Sequence, residues 1–192
     1  LNPYDTHAIE AAMQIKEGGA VPVEEIVAVT MGPDSAVRAL HKAVSLGADR
    51  SVHLSDESLA GSDVAATGYA LAQTLKRENP DLVLLGQQSD DGECYTIGAV
   101  VADHLKAPSL TQVIKLDVAA DKLTAERQAE YGYDTVEISL PAVISVGDAI
   151  NEPRYPSLKA IMGAKKKPLD TKGAGDVGIE SDKVGESGSQ TQ

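Results

Sequence analysis

Three groups of residues in this chain carry side chains and spacings suited to chemistry. The first is Gly86-Gln87-Gln88-Ser89-Asp90-Asp91-Gly92, which follows the apolar run Leu82 to Leu85 and leads into a helical pattern. Glycines permit close backbone approach, and the N-terminus of a following helix offers N–H groups to a phosphate. Thr30-Met31-Gly32-Pro33 stands in the same relation to the apolar run Ile26 to Val29. Ligands of open α/β sheets bind outside the carboxyl ends of the strands, where both loops fall. Read structurally, either loop is an ordinary strand-to-helix turn. The second group is the acid pair Asp90-Asp91, which could bind Mg²⁺, although paired acids in a turn more commonly act as caps. The third is Asn151-Glu152-Pro153-Arg154-Tyr155-Pro156-Ser157-Leu158, followed by Ile161-Met162 and Lys165-Lys166-Lys167. Its prolines fix φ and bias Glu152 and Tyr155 toward extended backbone. The result is a stiff loop that displays a charge, an aromatic ring and a leucine, suited to a partner contact. The alternative is a structural corner with Leu158 buried.

Other chemistry finds little support. His7, His41, His53 and His104 are scattered without metal-ligand spacing. His7 and His41 read as solvated helix positions. Cys94 lacks the signature of a nucleophile. No Gly-x-Gly-x-x-Gly fingerprint or Walker A motif occurs. The triple lysine reads as a solvated helix end, with a capacity to attract acidic residues on a partner.

The elements that would position these groups follow from periodicity. Asp5 or Thr6 is expected to cap a helix that ends at Gly18-Gly19. Strands are expected at Glu25 to Met31, Arg50 to Leu54 and Leu82 to Leu85. Between them fall one helix marked by Val37, Leu40 and Val44, and another running from Ser62 or Asp63 to Glu78. A further helix is expected to reach Leu105, and a helical turn to span Leu158 to Gly163. This alternation predicts parallel strands with right-handed crossovers. Thr111 to Val118, Lys122 to Gln128 and Thr135 to Leu140 instead alternate in polarity and read as an antiparallel meander, followed by a strand over Ala142 to Val146. From Pro168 onward the composition is too poor in apolar residues to fold alone.

Composition narrows the class. The 192 residues are 42% hydrophobic but only 3% aromatic, with neither Trp nor Phe, so the core must be aliphatic. That suits a buried parallel sheet under helices. The net charge of −12 argues against nucleic acid and anionic membranes as partners. One cysteine excludes a disulfide framework and leaves secretion without support. No signal peptide or membrane-spanning run is visible, so direct membrane insertion is not expected.

The loop from Asn151 to Leu158 with its lysine run resembles the recognition loop of electron-transferring flavoprotein β subunits. Asn2-Pro3-Tyr4-Asp5 with Ala8-Ile9-Glu10-Ala11-Ala12, Gly47-Ala48-Asp49-Arg50, Val52-His53-Leu54, Asp81 to Gly86 and Leu140-Pro141-Ala142-Val143 match that family in order. The resemblance covers roughly Leu1 to Gly178. Against the family, an N-terminal strand and a C-terminal arm are expected beyond the two ends of this sequence.

The resemblance implies a Rossmann-like, adenine-nucleotide α-hydrolase-like α/β fold. It would have a mostly parallel central sheet, helices on both faces and a small antiparallel extension. Residues 1–163 would form the nucleotide-binding domain, including recognition loop 151–163; residues 164–192 would be a basic run and flexible tail. Structural AMP would contact Asn2, Pro3, Tyr4, Asp5, Met31, Gly32, Gly86, Gln87, Gln88, Ser89, Asp90, Asp91, Gly92 and Thr96. Gln128 would lie near the flavin, where the family often has glutamate. Arg154, Tyr155, Pro156, Leu158, Ile161, Met162, Lys165 and Lys166 would bind a partner. The implied protein is an electron carrier, not an enzyme, paired with an α subunit that holds most of the FAD. Electrons would come from acyl-CoA dehydrogenases of fatty acid β-oxidation, or related flavoenzymes, and pass to a quinone oxidoreductase. The location implied is the bacterial cytoplasm or the mitochondrial matrix. A bifurcating relative would hold a second FAD instead of AMP. A stand-alone nucleotide protein of the universal-stress or adenylating type is a further alternative, but Ser-Gly-Gly-x-Asp-Ser and His-x-Gly-His motifs are absent.

Overall fold

The structure is a computed structural model that describes residues 1–191. Helix α1 (Pro3–Gly18) starts on a proline, where the missing N–H costs nothing, and ends at Gly19 in the left-handed region with φ 65°. It begins earlier than expected: Asn2, not Asp5 or Thr6, holds the N-cap position. Strand β1 (Val27–Met31) leads through one 3-10 turn into α2 (Val37–Leu46). Strand β2 (Arg50–Leu54) is followed by α3 (Val64–Glu78). Asp63 caps α3 by accepting the Ala66 N–H at 2.9 Å, and Asn79 ends it at φ 49°, ahead of Pro80. Then come β3 (Leu82–Gly86), α4 (Ile97–Leu105), β4 (Ser109–Val118), β5 (Lys122–Ala129), β6 (Gly132–Ser139) and β7 (Ala142–Val146). Helix α5 (Leu158–Ala164), strand β8 (Leu169–Lys172) and the short helices α6 (Ala174–Val177) and α7 (Gly185–Gly188) complete the chain.

The strands form two sheets. One has the order β1-β2-β8 and is all parallel. The other has the order β3-β7-β4-β5-β6: β3, β7 and β4 run parallel, and β4, β5 and β6 form the expected antiparallel extension. The α/β class and the extension therefore stand. So does the mostly parallel sheet, although its strands divide into two groups, with no ladder joining β1 to β3 among the described residues. Both are edge strands, and all of β1 and most of β3 are only half-buried. A continuous apolar run reports burial on two faces, not which strand lies alongside.

Helices cover both faces of the larger sheet. Leu82 and Leu84 of β3 turn toward a core that includes Ala8 of α1 with Ile144 and Val146. Val83 and Leu85 turn the other way, toward Ala72 of α3 and Val101 and Ala102 of α4. In the smaller sheet, Ile26 and Ala28 pack with Val44 of α2 and Ala164 of α5.

The segment after Ala164 differs from the flexible tail expected. Strand β8 pairs with β2, and Val177 and Val184 are buried with Leu54, Leu59, Tyr69 and Ala70. Helix α3 and strand β2 supply the apolar surface that the segment lacks. Gln192 lies outside the described residues.

Candidate functional site

The first turn of α1 sits on the end of β3. Asp5 accepts the Gly86 N–H at 2.8 Å, Asn2 Nδ2 donates to the Gln88 carbonyl at 2.8 Å, and Gln88 Nε2 donates to Tyr4 Oη at 3.3 Å. Pro3 at the first helical position sets this turn. Burial pushes the Asp5 carboxyl up, against the lowering effect of the Gly86 N–H. A Cβ on Gly86 would come within 2.6 Å of Tyr4 Cβ and 2.7 Å of the Tyr4 carbonyl carbon. The glycine expected to let a ligand approach thus lets helix α1 approach. Gln87 is half-buried and its N–H donates to Val146 at 3.0 Å.

Ser89, Asp90, Asp91, Gly92 and Thr96 are exposed. Ser89 Oγ accepts the Gly92 N–H at 3.3 Å, and the Asp91 carboxyl is lowered, first by its hydrogen bond with Ser89. Asp91 thus closes the turn on itself. Thr96 gives no side-chain cap to α4, which leaves N–H groups free at the helix start. Among the described residues no group of three or more His, Cys, Asp or Glu is arranged to hold a metal.

Met31 and Gly32 sit at the end of β1, in the other sheet. The Gly32 N–H donates to Leu54 at 3.0 Å, and buried His53 places Nε2 2.9 Å from the Gly32 carbonyl, so Nε2 carries the proton. Met31 packs beside Leu54 and Tyr69. No hydrogen bond among the described residues joins Met31-Gly32 to the Gly86 loop. The structure therefore brings Asn2, Tyr4 and Asp5 to Gly86 and Gln88, and leaves Met31-Gly32 as a separate strand end.

Gln128 lines a cavity of about 330 Å³ with Gln87, Tyr95, Gln112, Ala129 and Glu130. Gln112 joins this lining without any motif in the sequence to mark it. It occupies the left-handed region, φ 56°, where the β4 register slips between Leu110 and Val113. Only that unfavourable φ marks it, and sequence carries no sign of it.

The stiff loop is clamped at its base. Asn151 Nδ2 donates to the His7 carbonyl at 3.0 Å, and His7 Nδ1 lies 3.1 Å from the Asn151 carbonyl, so His7 is not the solvated residue expected. Arg154 turns onto helix α1. Its guanidinium donates to Glu10 (Nε, 2.6 Å; Nη2, 3.0 Å) and Glu17 (Nη1, 2.6 Å; Nη2, 2.9 Å). The Glu10 carboxyl is lowered, chiefly by the Arg154 hydrogen bond, and the Arg154 guanidinium is raised by both partners. Tyr155 is 96% exposed, Leu158 81% and Met162 78%. Ile161, Lys165 and Lys166 are exposed and Pro156 half-buried. The buried-corner alternative for Leu158 is thereby set aside. Ser157 caps α5 by accepting the Ala160 N–H at 3.1 Å.

These features define a class: a helix-covered, largely parallel α/β protein with glycine-bearing loops at its strand ends and a braced loop that holds apolar side chains in solvent. The family model of the electron transfer flavoprotein domain matches residues 1–176. The chain is 44% identical over 188 residues to electron transfer flavoprotein subunit beta of Mycobacterium tuberculosis, covering 96% of this chain and 71% of that protein. It is 36% identical to the protein of the same name from Megasphaera elsdenii, over 100% of this chain and 73% of the relative. It is also 36% identical, with the same coverage, to the caffeyl-CoA reductase-Etf complex subunit CarD of Acetobacterium woodii. The chain belongs to the electron transfer flavoprotein family and groups with its beta subunits. No helix among the described residues is long and apolar enough to cross a membrane.

Proposed function

We propose that this chain is the docking and nucleotide-holding subunit of a two-subunit electron carrier. The observation that carries the reading is the loop from Asn151 to Leu158, braced at its base with Leu158 in solvent. An exposed apolar side chain on a stiff loop loses little entropy when it enters a partner pocket. In this reading an α subunit holds most of the FAD, acyl-CoA dehydrogenases or related flavoenzymes deliver electrons, and a quinone oxidoreductase receives them. The redox chemistry belongs to the flavin. This chain orients and docks and has no reacting group of its own.

AMP is assigned to Asn2 to Asp5, Met31-Gly32 and the segment from Gly86 to Thr96. Two features fit it. Asn2 Oδ1 is buried without a partner, so a donor on a bound group would satisfy it. The start of α4 is uncapped. Asp90, Asp91 and Glu93 make the loop acidic, so phosphate there is met by backbone N–H groups rather than cations.

A second reading places FAD where AMP would sit. The cavity of about 330 Å³ between Gln87 and Gln128 adjoins the Gly86 loop and offers a polar, amide-lined surface beside it. One relative is named as part of a caffeyl-CoA reductase-Etf complex. The test is co-expression with the α subunit, then denaturation and chromatography of the released nucleotides. AMP and FAD in equal amounts support the main reading. FAD in excess of the heterodimer with no AMP supports the second. Failure to form a heterodimer overturns both.

A further inference from the structure

Helix α1 holds two loops at once. Its first turn grips the Gly86 loop through Asn2 and Asp5. Further along, His7, Glu10 and Glu17 hold the base of the docking loop. Glu10 and Glu17 are two helical turns apart and so share a face. The Glu10 side chain is only 7% exposed, and a carboxylate there is tolerated because a cation meets it. Both Arg154 nitrogens on that side and the Arg154 backbone N–H, at 3.2 Å, converge on it. Arg154 lies between Pro153 and Tyr155. Where its guanidinium is held, the loop's direction follows.

We propose that Glu10 is a positioning residue for docking: it orients Arg154, and α1 acts as the common brace that aims Leu158. The prolines stiffen the loop, and the carboxylates of α1 aim it. This inference rests on the docking reading of Asn151 to Leu158.

The test uses the heterodimer with its α subunit and compares Glu10→Gln, Glu17→Gln, Leu158→Ala and the double variant Glu10→Gln/Leu158→Ala. In dehydrogenase-coupled reduction, Glu10→Gln should raise the KM for the dehydrogenase roughly tenfold, with kcat at saturation and nucleotide content unchanged. Glu17→Gln, at an exposed partner, should raise it about two- to threefold. The double variant should be no worse than Leu158→Ala alone, because both act through one loop. An additive double variant overturns the proposal. So does an unchanged KM in Glu10→Gln while Leu158→Ala raises it. If Glu10→Gln fails to fold, Glu17→Gln decides, and an unchanged KM there overturns the proposal. An unchanged KM in Leu158→Ala overturns the docking reading itself.

Discussion

Asp5 accepts the backbone N–H of Gly86 across 2.8 Å, from a residue 81 positions away. This one bond joins the start of α1 to the end of β3. Burial there pushes the Asp5 carboxyl up, and the Gly86 N–H offsets part of that by favouring the charged form.

Substitution of Gly86 by valine should therefore act on the fold first. The new Cβ would meet backbone atoms, the Tyr4 carbonyl carbon at 2.7 Å and Asp5 N at 2.8 Å, which cannot rotate away. Overpacking of this kind costs about 1–3 kcal/mol. Thermal unfolding should show a lowered melting temperature, and any nucleotide loss should track it. A variant with wild-type stability that loses only its nucleotide would contradict this.

Leu158→Ala should leave stability within about 0.5 kcal/mol of the parent, because the side chain is 81% exposed. Docked in a partner pocket, that side chain would contribute about 1.5–3 kcal/mol, so coupling to an acyl-CoA dehydrogenase should weaken roughly ten- to a hundredfold. Dye reduction coupled to the dehydrogenase measures it. Unaltered coupling would remove Leu158 from the docking surface.

Asp63 should make the C-terminal segment acid-sensitive. Its carboxyl accepts the N–H groups of Ala66, Gln190 and Thr191, and these hold it at about 2, below the ordinary 3.8. The folded value lies below the unfolded one. The stabilisation is thus fully present above about pH 4 and is lost as pH falls toward 2. Protection of the Gln190 and Thr191 amides, taken relative to their intrinsic exchange rates, should fall across that window, and Asp63→Asn should flatten the response. Protection that stays constant through the window would rule out the Asp63 contact as its cause.

Chelation should have no effect on electron transfer. Asp90 and Asp91 are exposed, and Asp91 is engaged by Ser89. Among the described residues no further ligand cluster accompanies them, so a catalytic metal is not expected there. Loss of activity with excess EDTA, restored by Mg²⁺, would show the reverse.

Local order was legible in the sequence, and distant pairing was not. Arg50 to Leu54 and Ala142 to Val146 are strands at the bounds their apolar runs gave, and Asp63 and Asn79 bound α3 as cap chemistry demands. The split into two sheets was hidden because apolar runs at β1 and β3 carry no pairing information. The ion pairs of Arg154 leave no sign in its own loop, because Glu10 and Glu17 lie 144 and 137 positions away. The packing of α1 on Gly86 leaves no mark in the loop's own sequence, because Tyr4 and Asp5 lie 82 and 81 positions away. The tail looked unable to fold because its buried valines are few; α3 and β2 provide their partners.

The exposure of Tyr155 has a practical consequence. This chain has no tryptophan, so light that selectively excites indole finds nothing in it to emit. Tyr155 stands 96% in solvent beside the leucine that would dock. Tyr155→Trp would put a single fluorophore at the rim of the contact, on a side chain that holds nothing in place. Its emission would shift as a partner excludes water, and docking could be timed without labelling either protein.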